Sequence, residues 1–246
     1  LYKSPLRYPG GKSRAIKIII EYFPKNIKVM SSHFVGGGSI ELYLSENNKI
    51  ITYDNFDLLI NFWNQLKYKN KCLHNTILKY FPLTKEQFLQ IQKNIYNSND
   101  EIEMAAKFYV LNRCSFSGST LSGGMSLNHP RFNLNLIHKL QEVNLKNIEF
   151  VCMDFKESIL IHQNNFKYLD PPYYIENNLY GVKGSLHKNF DHIRLNEILK
   201  KSSNWVLSYN DCEYIRKLYE GCEIIQVDWK YGMSKDKKSN EILIIN

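Results

Sequence analysis

Short apolar runs separated by helical stretches constrain this chain more than any other feature. VMSSHF (29–34), KIITY (49–53), IEFVCM (148–153), FKYL (166–169) and WVLSY (205–209) each have the length of one strand. A strand buried on both faces reads as a continuous apolar run, and a helix between two such strands carries the chain back for parallel pairing. The alternation predicts a mostly parallel α/β sheet. Near the C-terminus, EIIQVDW (223–229) and EILIIN (241–246) are joined by a short charged turn, MSKDKKSN (233–240). That connection suits an antiparallel hairpin, so the last strand runs against the others.

From about Phe56 to Asn144 the pattern becomes helical, over Thr84 to Asn97 and Asp100 to Asn112, before a loop rich in Ser and Gly at 114–133. A length of 246 residues suits one α/β domain carrying an insertion. Residues 1–55 and 147–246 form the α/β domain in this reading, and 56–146 a small helical insertion.

The most informative motif is Asp170-Pro171-Pro172-Tyr173, which follows FKYL. Two prolines fix φ and supply no backbone N–H, so nearby carbonyls stand as rigid acceptors toward an incoming NH₂ group. Asp170 adds a charged acceptor. Tyr173 offers a flat face on which a base drawn out of a duplex can stack. The plain alternative is a Pro-Pro that only ends a strand.

A second motif, Phe34-Val35-Gly36-Gly37-Gly38, lies between a predicted strand and a helix over Ser39 to Glu46, with Ser39 as N-cap. Glycines there let a ligand approach the backbone at a helix N-terminus, and Asp54, ending the next strand, suits ribose hydroxyls. The third motif is Tyr8-Pro9-Gly10-Gly11-Lys12-Ser13. A phosphate-binding P-loop would need glycine where Leu6 stands and a buried strand before it, so that reading is rejected. Lys12 is read instead as a cation at the ligand site, with Tyr8 packed on the ligand or on the core.

In this order the motifs resemble the α-class (Dam-like, D12) DNA N6-adenine methyltransferases over nearly the whole chain. The resemblance implies a Rossmann-like S-adenosylmethionine-dependent methyltransferase sheet with an antiparallel last strand, and a target-recognition role for 56–146. It implies transfer of methyl from S-adenosylmethionine to adenine N6 in double-stranded DNA. It places Tyr8, Lys12, Phe34, Gly36, Gly38, Asp54, Asp154 and Asp170 around the cofactor, and makes Asp170, Pro171, Pro172 and Tyr173 the catalytic pocket. Asn112-Arg113 and Phe116-Ser117-Gly118 match a DNA-contacting segment, with Arg113, Phe116 and Ser117 as the expected DNA-binding residues. Phe116 either wedges into the base stack or caps the insertion's core. A cognate restriction endonuclease is an implied partner, and no metal is called for.

The chain also departs from the family. Ser32-His33-Phe34 stands where Glu-Pro-Phe is usual, which removes one acidic cofactor contact, and His33 reads as a packed residue. After Gly118 the residues that read GATC in relatives are missing, so that target is not transferred.

The charge supports a polyanionic partner. Lys+Arg 32 against Asp+Glu 24 gives +8, and Lys235, Lys237 and Lys238 cluster in the late turn. Five cysteines without a CxxC pair argue against a disulfide framework or a zinc site. No apolar run reaches bilayer length, and a cytoplasmic setting is expected. Two other readings stay open: an RNA-adenine or protein-amide methyltransferase, and a catalytically idle DNA-binding subunit of the same fold.

Overall fold

The computed structural model describes residues 3–125, 131–174, 190–227 and 240–246. Its elements are α1 (Ile16–Ile20), β1 (Val29–Ser32), α2 (Ser39–Leu44), β2 (Lys49–Asp54), α3 (Asp57–Tyr68), α4 (Asn70–Leu78), α5 (Lys85–Asn94) and α6 (Glu101–Cys114). They continue as α7 (Leu134–His138), β3 (Ile148–Cys152), α8 (Phe155–Ile161), β4 (Phe166–Leu169), α9 (His192–Leu199), β5 (Trp205–Asn210), α10 (Glu213–Leu218), β6 (Glu223–Val227) and β7 (Glu241–Ile245). The seven strands form one sheet in the order β3-β2-β1-β4-β5-β7-β6. Pairing is parallel from β3 through β5, and β7 runs antiparallel to both β5 and β6. This is the predicted α/β sheet with its reversed last strand. Strand order turns back between β1 and β4, and in open α/β sheets ligands gather outside the carboxyl ends of the strands at such a switch point.

Sequence and structure differ at several ends. β1 stops at Ser32, leaving His33 and Phe34 in the connection. α2 ends at Leu44, and Gly38 rather than Ser39 is its N-cap, because that residue has φ +65°, a left-handed value that glycine adopts without strain. The helix expected over Thr84 to Asn97 is α5 plus a 3₁₀ turn, with Thr84 and Gln87 forming a reciprocal cap. Asp100 caps α6 rather than joining it, and α6 continues to Cys114. Asp228, Trp229 and the late turn through Ser239, with Lys235, Lys237 and Lys238, lie outside the described residues.

The helical segment is not a separate lobe hung from the sheet. Trp63 of α3 stacks flat on Phe150 of β3 at 5.1 Å, and Phe62 stacks on Tyr109 of α6 at 5.6 Å. Both α3 rings are fully buried, so one apolar core runs from the sheet into α6. At the amino end of β4, buried Lys167 donates to the carbonyls of Gln163, Asn165 and Ser203. Those bonds satisfy a charge that would otherwise be costly there. No described helix is long and apolar enough to cross a membrane.

Candidate active site

Strand direction assembles the site. Parallel β3, β2, β1 and β4 all end at one edge, which brings together Asp154, Asp54, the glycine turn and Asp170. β7 runs the other way, so its first residue, Glu241, reaches the same edge, in register with Asn210, the last residue of β5.

The glycine turn is held from both sides. The backbone N–H of Gly36 donates to Asp54 Oδ2 at 3.2 Å, while Asp54 Oδ1 accepts from Phe56 N–H at 3.0 Å. Trp63 Nε1–H donates to the Gly36 carbonyl at 3.3 Å. At Gly36, φ is +45° and an added Cβ would lie 2.9 Å from the Tyr8 ring, so glycine is needed for both backbone and space. Tyr8 therefore lies on the turn, yet keeps 38% of its surface exposed. It covers the backbone and presents part of its ring to solvent. Burial pushes the Asp54 carboxyl up to about 6, against the pull of its N–H donors. Asp154 caps α8 by accepting from Lys156 N–H at 2.9 Å. Phe34 packs between Phe155 and Phe190.

At β4, Lys12 Nζ donates to both oxygens of Asp170 at 2.8 Å and to the Gly10 carbonyl at 3.0 Å. Burial raises the Asp170 pKa, and the Lys12 charge opposes that shift by favouring the carboxylate. The same ammonium lies 5.0 Å from the centre of the Tyr173 ring. Asn210 holds the chain after the prolines: its Oδ1 accepts from Tyr174 N–H and its Nδ2 donates to the Tyr174 carbonyl. Tyr174 in turn stacks on Tyr214 at 4.2 Å. Asp170, Pro171, Pro172 and Tyr173 are thus fixed before any substrate arrives, with the carboxylate paired to a cation.

Two acids that the sequence reading passed over belong to this edge. Ser32 Oγ–H donates to Glu41 Oε1 at 2.5 Å, and Glu41 is 3% exposed. An acid thus does stand beside Ser32, supplied by α2 rather than by β1. Burial pushes Glu41 up to about 7 despite the Ser32 bond, and the nearby Asp170 charge acts in the same direction. The second is Glu241, whose Oε2 lies 3.8 Å from Lys12 Nζ. The available signals were an acid in the first turn after the glycines and a charge opening the apolar strand EILII. His33 is packed as expected, with Nδ1 on Ser158 Oγ at 2.8 Å and Nε2 on Ser31 Oγ at 3.1 Å. Its burial holds its pKa well below the usual imidazole value.

The insertion residues divide in another way. Phe116 is 71% exposed, so it does not cap a core. Ser117 holds a left-handed φ of +54° beside it. Arg113 is turned inward, its Nε–H donating to the Arg131 carbonyl at 2.6 Å and its Nη1 to the Pro5 carbonyl at 3.3 Å. Asn112 is fully buried, and its amide accepts from Arg7 N–H and donates to the Arg7 carbonyl, both at 2.8 Å. Burial lowers the pKa of Arg7 and of Arg113, and the charge of Arg131 lowers both further. The insertion rim is therefore bonded to the segment that, five residues later, places Lys12 on Asp170.

A family model described as D12 class N6 adenine-specific DNA methyltransferase matches residues 8–233. The chain is 26% identical over 264 residues to a DNA adenine methylase of Vibrio cholerae serotype O1, covering 98% of this chain and 94% of that one. It is 22% identical over 246 residues to the type II methyltransferase M.CviBI of Paramecium bursaria Chlorella virus NC1A, covering 93% and 91%. It is also 26% identical over 215 residues to the type II methyltransferase M.FokI of Planomicrobium okeanokoites, covering 80% of this chain and 32% of that one.

Proposed function

The chain belongs to the D12 class N6 adenine-specific DNA methyltransferases, and on that premise we propose that it takes the methyl group from S-adenosylmethionine and places it on an adenine turned out of double-stranded DNA. The observation that carries this reading is the single sheet edge on which an acid at the end of β2, a glycine turn covered by Tyr8, and an aspartate locked before two prolines all converge.

The cofactor's chemistry fits the donors present. S-adenosylmethionine supplies a methyl group on a sulfonium, which needs alignment more than activation. Asp54 suits the ribose hydroxyls and Asp154 the adenine, while the backbone at Gly36 and Gly38 is covered by the Tyr8 and Trp63 rings, so the Tyr8 ring rather than open backbone meets the ligand there. The carboxylates of Glu41, Asp170 and Glu241 suit a ligand that carries positive charge.

Adenine N6 is a weak nucleophile because its lone pair is delocalised into the ring. Accepting its N–H bonds at Asp170 and at the Pro171 carbonyl draws the nitrogen toward a tetrahedral, more reactive form. Lys12 favours the ionised form of the half-buried Asp170 against the effect of burial, so the acceptor stands ready without reorganisation. Tyr173 supplies the stacking face, and its other neighbour, Lys12, fixes the ring.

Residues 56–146 are the proposed target-reading part, with Phe116 and Ser117 at the DNA and Arg113 supporting the rim. The type II methyltransferases among the relatives favour a restriction-modification setting with a cognate endonuclease. Methyl transfer from labelled S-adenosylmethionine, with duplex DNA, RNA and protein in competition, tests the reading. The expected product is N6-methyladenine in the duplex. Label in RNA or in protein amides, or none at all, overturns it.

A further inference from the structure

Methyl transfer to an amine leaves a proton to be disposed of, and the described residues contain a group placed to receive it. Both carboxylate oxygens of Glu241 and the Tyr173 hydroxyl are buried without a well-formed hydrogen bond among the described residues, and Lys12 and Tyr173 stand beside Glu241. Glu241 is only 2% exposed. A buried carboxyl group held only by a long ion pair costs stability, and groups with environments of this kind cluster at functional sites. The reversal of β7 puts it at the reacting edge, and Asn210 opposite it grips the chain just past Tyr173.

The groups facing Glu241 can be named element by element. The N-terminal segment contributes Lys12, β4 contributes Tyr168, and the segment after β4 contributes Asp170 and Tyr173. The charge of the same Asp170 also acts on Glu41 of α2. Burial pushes Glu241 up to about 7, Lys12 opposes the shift, and Asp170 adds to it.

As the new C–N bond forms from the N6 lone pair, the donor's carbon–sulfur bond breaks and its electrons stay on sulfur. N6 is then positively charged and carries one proton too many. We propose that Glu241 is the final acceptor of that proton, reached through Asp170 and Lys12. Asp170 takes the proton from N6. Lys12, hydrogen-bonded to both Asp170 oxygens, gives one of its protons to Glu241 and, as the neutral amine so formed, takes the proton from Asp170. The cycle leaves Lys12 an ammonium, Asp170 a carboxylate and Glu241 a neutral acid, which returns its proton to solvent. The present 3.8 Å between Lys12 and Glu241 needs to close by roughly 1 Å for a direct hydrogen bond. This inference rests on the adenine-N6 reading of the site.

Two measurements test it. Infrared titration of the ligand-free protein follows neutral carboxyl C=O intensity, and Glu241→Gln removes one component that titrates near pH 7, while Glu41→Gln removes another. Single-turnover methyl transfer between pH 6 and pH 8 rises about tenfold in the wild type, the ratio expected for an acceptor that ionises near pH 7. In Glu241→Gln the rate is low and the rise is gone. Glu241→Asp restores the rise, as a shorter acceptor does, and serves in its place if the glutamine variant fails to fold. Two outcomes overturn the proposal: a rate in Glu241→Gln that falls equally at every pH with the rise kept, or a carboxyl titration unchanged by the substitution. Wild-type protein that methylates no adenine would sink the functional reading instead, and the infrared result would still decide whether Glu241 takes up a proton.

Discussion

Around Asp170 the charged groups are buried and hold one another, whereas around Phe116 a large apolar ring stands in solvent on a loop whose polar groups are bonded to the protein itself. The first region has its geometry set by strand ends, which a sheet fixes to within a residue. The second is set by side chains gripping backbone: Asn112 on Arg7, Arg113 on Pro5 and Arg131, and Ser115 Oγ on Thr120 N–H. Gly118 closes this arrangement, since with φ +77° an added Cβ would lie 2.3 Å from the Arg7 carbonyl. In the proposed reading the reacting groups stand just beyond the ends of strands, and the surface expected to select a target sits on a loop. The segment 5–12 belongs to both, because Arg7 is held by α6 and Lys12 holds Asp170.

The sharpest test of this division is Asp170→Asn. It keeps size and one acceptor but removes the charge that Lys12 pairs with, and it adds an NH₂ donor facing the substrate amine. Losing a preorganised contact of this kind costs about 100- to 1000-fold in rate. Single-turnover transfer at saturating cofactor and DNA is expected to fall by that much, with duplex affinity changed far less. A wild-type rate would mean that the chemistry lies elsewhere.

Asp54→Ala comes next. Loss of charge-assisted bonds to a ribose costs about 1.5 to 3 kcal/mol each, so the cofactor dissociation constant rises by roughly one to two orders of magnitude. Asp54 also ties the glycine turn to the start of α3, so Asp54→Asn, which can keep one oxygen acceptor for a backbone N–H, separates the two roles. If both variants bind the cofactor as the wild type does in a calorimeter, the ribose assignment is wrong.

These tests also measure what the sequence made legible. The sheet and its reversed last strand followed from apolar runs and a short final connection, because strand burial leaves a local pattern. Asp54 and Asp170 were visible because each ends such a run. Glu41 and Glu241 were not, since their roles depend on which strand ends meet in space, and a lone acid on a helix or at the start of a strand reads as solvated. Arg113 shows the opposite case. A basic residue in a DNA-binding motif reads as reaching outward, and only the structure has it donating to two carbonyls.

The buried acids give a prediction on pH. Asp54 at about 6, and Glu41 and Glu241 at about 7, all lie above their ordinary values of 3.8 and 4.5. Through these three acids the folded protein holds more protons than the unfolded chain between about pH 4 and 7, so their contribution to stability falls as pH rises through that window, while His33, His162 and His192, lowered by burial, act in the opposite direction. A cationic cofactor favours the ionised forms and reverses the balance locally. Calorimetric binding of S-adenosylmethionine near pH 6.5, compared across buffers of different ionisation enthalpy, is expected to release on the order of one proton per site. Proton uptake would contradict the charge assignment of this edge.

The smallest effect on folding belongs to Phe116→Ala, and its smallness is the point. A side chain that is 71% exposed contributes little packing, so unfolding free energy is expected to change by less than about 0.5 kcal/mol. Asp170 and Lys12 are untouched, and cofactor affinity should stay at the wild-type value. If the ring stacks on bases where the duplex opens, duplex affinity falls by about 1 to 3 kcal/mol, which denaturant unfolding and DNA titration of the same variant separate cleanly. Arg113→Ala cannot serve in its place: it frees the Pro5 carbonyl and loosens the segment that carries Lys12, so selection and chemistry would change together. A Phe116→Ala protein that binds DNA as the wild type does would remove the ring from the DNA surface and leave the loop's left-handed residues, Ser117 and Thr120, as its more telling feature.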